Sequence, residues 1–408
     1  MLRSTISSAA TPPTWHALRV PSEPTTAADV PVLPRYGHRS LAEVLPALLG
    51  ALGVPGSVTG PTVPPVRVAC LLLVDGLGSD LLRRHGADAP FLAGLTDAGP
   101  LTVGFPSSTS ISLTTLGTGL PPGAHGIVGI SFRAGHDELL DSLRWATHGD
   151  REPEDLRERL PPEEVQPMPT ALQRAAADGV HVAVVAPRAQ RGSGLTRAAL
   201  RGGQFRGVHA LGDLAAETIG ALTGPGRRLC YAYHADLDTL GHLHGPGSEP
   251  WRWQLRQIDR LAATIAEELP GDAVLAVTGD HGMVRVTRSY DADSDERLRH
   301  GVRLLGGDAR SRHVYTRPGA APDVLATWRA VLGDDAWVVP REEAVAEGWF
   351  GPLGAHVPER IGDVVVALRG TATVIRSVAE PLLSRLPGQH GSLSAEEQLV
   401  PLLLAHPT

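Results

Sequence analysis

VRVACLLLVDG, residues 66 to 76, decides the fold. From Val68 to Val74 the stretch carries no charged or strongly polar side chain, and it closes abruptly on Asp75 and Gly76. A strand with one face in water alternates polar and apolar residues, so an unbroken apolar run suits a strand covered on both faces, as in a parallel sheet. The same form returns at VHVAVVAP (180 to 187), RLCYAYHADLD (228 to 238) and DAVLAVTGDHG (272 to 282). Helix-like segments separate these runs: TALQRAAADG, LGDLAAETIGALTG and WRWQLRQIDRLAATIAEEL. Strands alternating with helices predict an α/β fold with a mostly parallel central sheet and helices on both faces.

Outward from these runs the rhythm changes twice. Residues 1–35 are rich in Pro, Ser and Thr and read as an extended lead-in, before SLAEVLPALLGALG places Leu41, Val44, Leu45, Leu48 and Leu49 at helical spacing. After residue 283 mixed signals follow, with strands at SRHVYT, AWVVP and GDVVVALRG and a helix around APDVLATWRAVLG. This predicts a catalytic core of residues 36–283 and 386–408, with residues 284–385 inserted as a cap and GQHGSLSAEEQLVPLLLA returning to the core sheet.

With 42% hydrophobic and 20% charged residues, the 408-residue chain has the composition of a folded globular protein. Its net charge of −7 is spread without long runs, which argues against a nucleic-acid polymer as partner. The N-terminus shows no signal-peptide pattern and no segment reads as a membrane span, so a cytoplasmic location without membrane association is expected. Cys70 and Cys230, the two cysteines, lie inside strand-like runs and read as core residues.

In open parallel sheets ligands bind at the carboxyl ends of the strands, so the residues that close each run carry the information. Asp75 closes the first run, Asp238 and His242 the third, and Asp280 and His281 the fourth; His390 precedes the C-terminal run. One such residue is ordinarily a turn or cap, but three carboxylates and three imidazoles at successive strand ends suit two mixed nitrogen and oxygen metal sites. Zinc favours such donors and manganese tolerates them. Asp238 and His242 are spaced to face the same way on a helical turn. Two neighbouring ions can serve phosphoryl transfer by stabilising the attacking and leaving oxygens, and they need a nucleophile. The hydroxyl-rich tract FPSSTSISLTTLGTG, from Phe105, offers Ser107, Ser108, Thr109, Ser110 and Ser112 just ahead of or within a predicted helix. Helix capping is the plain reading of such a tract, and its residues alone do not choose a nucleophile.

The chain resembles the alkaline phosphatase superfamily, specifically its type I phosphodiesterase/nucleotide pyrophosphatase branch. LLLVDGLG, TGLPPGAHGI, DLDTLGHLHGP, VTGDHGM and GQHGSL occur in that branch's order. The resemblance implies that Thr109 is the nucleophile, that Asp238, His242 and His390 hold one metal, and that Asp75, Thr109, Asp280 and His281 hold a second. It also implies zinc, a covalent phospho-threonine intermediate, and a small phosphoester or nucleotide-like substrate. Ser112 is the candidate for holding a phosphate oxygen, a role that an Asn fills in the nucleotide-hydrolysing branch. Trp251, Trp253, Tyr233 and Trp349 are candidates for nucleobase stacking, with core packing the plainer reading of each. No Arg stands beside the nucleophile in sequence, which predicts a preference for diesters over dianionic monoesters. The alternatives are a phosphonate or phosphomonoester hydrolase of the same superfamily, and a non-catalytic metal-binding protein.

Overall fold

The computed structural model describes residues 30–56, 60–135, 137–150 and 152–407. The lead-in expected at the N-terminus therefore falls largely outside the described residues. The four apolar runs are strands of one sheet: β1 (Val68–Val74), β2 (His181–Pro187), β4 (Arg228–His234) and β5 (Ala273–Gly279), joined by β3 (Gln204–Val208) and β6 (Leu402–Ala405). Across the sheet the order is Thr96–Asp97, β6, β5, β1, β4, β2, β3. The contacts from β5 through β1, β4 and β2 to β3 are all parallel; β6 runs antiparallel to β5, and Thr96–Asp97 antiparallel to β6.

Every residue of β1 is fully buried. Ala69, Leu71 and Leu73 pack on one face of the sheet with the helix Val44–Ala51, helix α1 (Thr109–Thr118) and the helix Ala171–Ala177. Val68, Cys70, Leu72 and Val74 pack on the other with the helix Leu211–Leu222 and the long helix Glu249–Glu267. Full burial on both faces explains the absence of polar alternation in the sequence. Cys70 and Cys230 are register partners on β1 and β4, buried as free thiols. One boundary shifts: the third run ends as a strand at His234, and helix α2 (Asp236–His244) begins immediately, so Asp238 lies in a helical first turn.

Between β5 and β6 the chain builds a four-stranded antiparallel sheet, ordered Val302–Asp308, Ser311–Thr316, Val364–Leu368, Ala336–Pro340, with the helix Ala321–Leu332 against it. A three-stranded meander, Ser131–Arg133, Leu139–Asp141 and Ala146–Thr147, was not evident from the sequence. Its Phe132, Leu140 and Trp145 share an apolar cluster with Phe105 and Ile111 of the hydroxyl-rich segment and with Trp349, Phe350 and Val365 from the later part of the chain. The segment that carries Thr109 therefore lies between the large sheet and this second packing unit.

A fully buried ion pair fixes the loop after His390. Arg310 reaches Glu397 at 2.6 and 3.1 Å with both side chains at 0% exposure, and Glu397 also accepts from the Ser392 N–H and the Ser394 hydroxyl. Removing one partner of such a pair strands the other charge in a low-dielectric interior. Arg310→Met is expected to cost about 3 to 5 kcal/mol of stability, read by urea unfolding; a loss below about 1 kcal/mol would show that the pair is dispensable.

Candidate active site

The sheet brings the predicted strand-end residues together. Asp75 follows β1, and Gly76 turns the chain with φ +76° so that its N–H donates to Asp280 Oδ1 at 3.0 Å. Asp280 and His281 follow β5, while Asp238 and His242 lie one turn apart on α2, with His242 Nε2 3.4 Å from Asp238 Oδ2. His390 arrives on the loop before β6, its Nε2 3.2 Å from His242 Nε2 and 3.8 Å from Asp238 Oδ1. His281 Nε2 lies 3.4 Å from Asp75 Oδ1, 3.5 Å from Asp280 Oδ2 and 3.2 Å from Thr109 Oγ1. The rings of His281 and His390 stack with centroids 3.6 Å apart, so the two groups of residues share a wall.

The hydrogen bonds around the imidazoles fix how they point. Nδ1 of His242, His281 and His390 faces the backbone carbonyl of Gly388 (2.8 Å), Gly282 (3.0 Å) and Ser107 (2.9 Å) respectively. A carbonyl only accepts, so each Nδ1 carries a proton and each ring turns its Nε2 into the site. Nε2 of His242 and Nε2 of His390 then face each other at 3.2 Å, and Asp75 Oδ1, Asp238 Oδ1 and Asp280 Oδ2 are buried without hydrogen-bond partners. Ring nitrogens and orphaned carboxylate oxygens aimed at common points fit divalent cations. Ligand atoms of Asp75, Asp280 and His281, and of Asp238, His281 and His390, lie within 4.8 Å of one another in each trio.

Burial governs the electrostatics. Asp75 is pushed well above the ordinary carboxylate range, first by loss of solvent and then by the charges of Asp280 and Asp238, against a hydrogen bond from the Tyr233 hydroxyl. Asp280 is raised for the same first reason. His390 is pushed well below the usual imidazole value by burial and by neighbouring His281 and His242, so it stays neutral and able to donate its lone pair. Burial and the Asp75 charge raise the Tyr233 phenol, which keeps its proton.

Thr109 is the first residue of α1, 8% exposed, and lines a cavity of about 510 Å3 with Asp75, Leu113, Arg144, Tyr233 and Asp238. No serine of the tract caps the helix by side chain. Ser107 Oγ donates to the Ser392 carbonyl at 2.8 Å, Ser108 Oγ donates to the Asp308 carboxylate, and Ser110 Oγ accepts from Ser142 Oγ at 2.7 Å. Each ties α1 to a different segment. Burial raises Asp308 to about 7. Ser112 does not line the cavity: its side chain is fully buried and its hydroxyl has no hydrogen-bond partner.

Of the stacking candidates only Trp251 and Trp349 resolve as core packing. Trp251 and Trp349 are buried in the core, Tyr233 is bonded to Asp75, and Trp253 is 54% exposed under the Arg256 guanidinium. His125 pairs with Thr115 and His234 with Gln254, while His244 is exposed. Arg144 is the residue that sequence reasoning missed. It stands in an unremarkable DSLRWATH context and reaches the Thr109 cavity only through the meander's fold. Its place in that cavity corrects the expectation that no Arg lies near the nucleophile, so a diester preference rests on the family resemblance and not on that absence.

The overall fold is similar to murine ectonucleotide pyrophosphatase/phosphodiesterase 5, at TM-score 0.62 and 17% identity over 83% of this chain and 88% of that one. An inactive variant of that murine protein has been solved in complex with AMP. The fold is also similar to phosphonoacetate hydrolase from Sinorhizobium meliloti 1021 in complex with phosphonoformate, at TM-score 0.61 and 20% identity over 84% of this chain and 91% of that one. Among the described residues no helix is long and apolar enough to cross a membrane. The family model for type I phosphodiesterase / nucleotide pyrophosphatase matches residues 69–393, which span β1 to the loop after His390, and the chain belongs to that family.

Proposed function

We propose that the protein is a two-metal hydrolase of phosphodiester or pyrophosphate bonds, with Thr109 as nucleophile. The observation that carries this reading is the position of the Thr109 hydroxyl at the start of α1, 3.2 Å from His281 Nε2, beside two convergent sets of buried carboxylates and imidazoles. Asp75, Asp280, His281 and Thr109 would hold one divalent cation and Asp238, His242 and His390 the other, zinc by donor type, with manganese tolerated. Bound there, the cations would supply Lewis acidity, offsetting charge on the phosphoryl oxygens and lowering the pKa of the Thr109 hydroxyl.

The chain's own residues do the rest. Thr109 Oγ1 attacks phosphorus as its proton passes to water, the bond from phosphorus to the leaving oxygen breaks and that oxygen takes up a proton from water, and a phospho-threonine forms. The first-turn N–H groups of α1 carry no side-chain cap, because Ser108 is turned to Asp308, and a helix start left free in this way favours a bound anion beside Thr109. Water then attacks phosphorus, the bond to Oγ1 breaks, and Thr109 regains its proton. Asp75 is held in place by the Tyr233 hydroxyl throughout.

A second reading, phosphonate hydrolysis, is favoured by the likeness to phosphonoacetate hydrolase. A panel of chromogenic phosphodiesters, phosphomonoesters and phosphonates separates the two. Diesters are expected to exceed monoesters by tenfold or more in kcat/KM, about 1.4 kcal/mol of transition-state stabilisation. A tenfold preference for phosphonates or monoesters would replace the first reading with the second.

A further inference from the structure

Arg144 stands on a turn whose geometry is set by its neighbours. The Leu143 and Arg144 N–H groups both donate to Asp141 Oδ1, at 3.0 and 2.9 Å. Trp145 takes φ +59°, buries its indole fully and donates from Nε1 to the Leu160 carbonyl at 2.8 Å. Its ring lies so close to Gly194 that a Cβ there would come within 2.2 Å of it. On the other side, Ser142 Oγ donates to Ser110 Oγ at 2.7 Å, so the turn is bonded directly to the helix that begins at Thr109. The Arg144 backbone is therefore placed with little freedom, while its side chain is exposed and lines the cavity that holds Thr109, Asp75 and Asp238. Among the described residues no carboxylate forms an ion pair with it.

The remainder of the wall bears on what that cation meets. Leu113, Leu143, Leu195 and Leu200 line it together with the uncharged polar side chains of Gln190, Ser193, Thr196 and Thr239. Tyr233 is the only aromatic residue among the described residues lining the cavity; it is 5% exposed and its hydroxyl is committed to Asp75. A nucleobase finds no pair of aromatic faces to lie between. A wall of aliphatic and uncharged polar side chains with one guanidinium that makes no ion pair matches a substrate ending in an oxyanion, which Arg binds through two parallel N–H groups.

We infer that Arg144 selects the substrate by binding a second oxyanion, a carboxylate or a terminal phosphate, carried beyond the phosphoryl group that Thr109 attacks. The assignment rests on the proposed phosphoryl-transfer site and specifies its substrate class. It makes Arg144 a specificity-determining residue with no part in bond making.

The test is calorimetric binding to the zinc-loaded full chain. Three probes share one alkyl length: an alkylphosphonate ending in a carboxylate, its carboxamide counterpart, and the bisphosphonate. The wild type is expected to bind the two doubly anionic probes at least tenfold more tightly than the amide, about 1.4 kcal/mol. Arg144→Gln should erase that preference and Arg144→Lys restore part of it; both variants should fold, since the turn uses only the backbone of this residue. Equal binding of all three probes by the wild type, or a preference that survives Arg144→Gln, would overturn the inference. Uniform weakening of all three probes in Arg144→Gln would overturn it too, placing the guanidinium on the transferred group. The relative affinity of carboxylate and bisphosphonate identifies the oxyanion. If no phosphodiester is turned over and the binding preference stands, the phosphodiesterase reading falls and the Arg144 assignment remains.

Discussion

Thr109→Ala is expected to lower turnover by a factor on the order of 10^3 or more, as loss of a covalent nucleophile does. Thr109→Ser, which keeps a hydroxyl at the same place, should retain measurable activity. The fold should survive, because the trimmed side chain sits at the first position of α1, and Asp75, Asp280 and His281 remain to hold their cation. The neighbouring serines behave differently because each has a structural partner: Ser107 the Ser392 carbonyl, Ser108 the Asp308 carboxylate, Ser110 the Ser142 hydroxyl. Replacing any of them by alanine should cost about 1 kcal/mol of stability, rising toward 3 where a buried partner is stranded, with a far smaller loss of turnover than at Thr109. Quenching the enzyme with labelled substrate and mapping the label by mass spectrometry settles the assignment. Label on Ser107, Ser108 or Ser110 would show that Thr109 is not the nucleophile.

Removal of metal is expected to have an equally large effect. Protein stripped by a chelator should be inactive and should recover with zinc or manganese, and elemental analysis of the active form should give two ions per chain. Full activity in exhaustively metal-free protein would contradict the proposal. The pH dependence has a definite sign. In the metal-free protein burial and mutual repulsion raise Asp75 and Asp280, so the folded state holds protons that the unfolded chain releases. The associated stability is present below the ordinary carboxylate pKa and is lost as pH rises through the raised values. Cation binding displaces those protons, so metal affinity should increase with pH over the same window, as should the gap in Tm between loaded and stripped protein. A Tm gap that narrows as pH rises would contradict this assignment of the carboxylates.

The sequence made the large sheet legible because its strands are buried on both faces. Nothing polar interrupts β1, and an apolar run closed by Asp and Gly has few other structural meanings. The candidate ligands were legible for a related reason: a parallel sheet delivers its strand ends to one side, so Asp75, Asp280 and the Asp238/His242 pair needed no long-range information to be grouped. The three-stranded meander was not legible. Its strands are two or three residues long, and its turn depends on a tryptophan in a left-handed conformation, which local propensity does not forecast. Arg144 and Asp308 share that fate, since both reach the neighbourhood of Thr109 through tertiary packing. The hydroxyl tract was half legible: its richness in Ser and Thr marked a special segment, but its serines bond across to other segments and leave the helix start uncapped.

The location of Thr109 between two packing units has an evolutionary consequence. The aspartates and histidines proposed as metal ligands lie at strand ends of the large sheet, on the helix that follows one, or on the loop before its last strand, whereas Arg144 is borne by a short meander that packs against the segment carrying Thr109. Substitution of exposed residues on this turn can therefore change which molecule is accepted while the metal ligands stay as they are, provided that Ser142 and the apolar side chains that hold the meander to the Thr109 segment are kept. A designer wishing to redirect the enzyme would begin with the exposed residues Leu143 and Arg144.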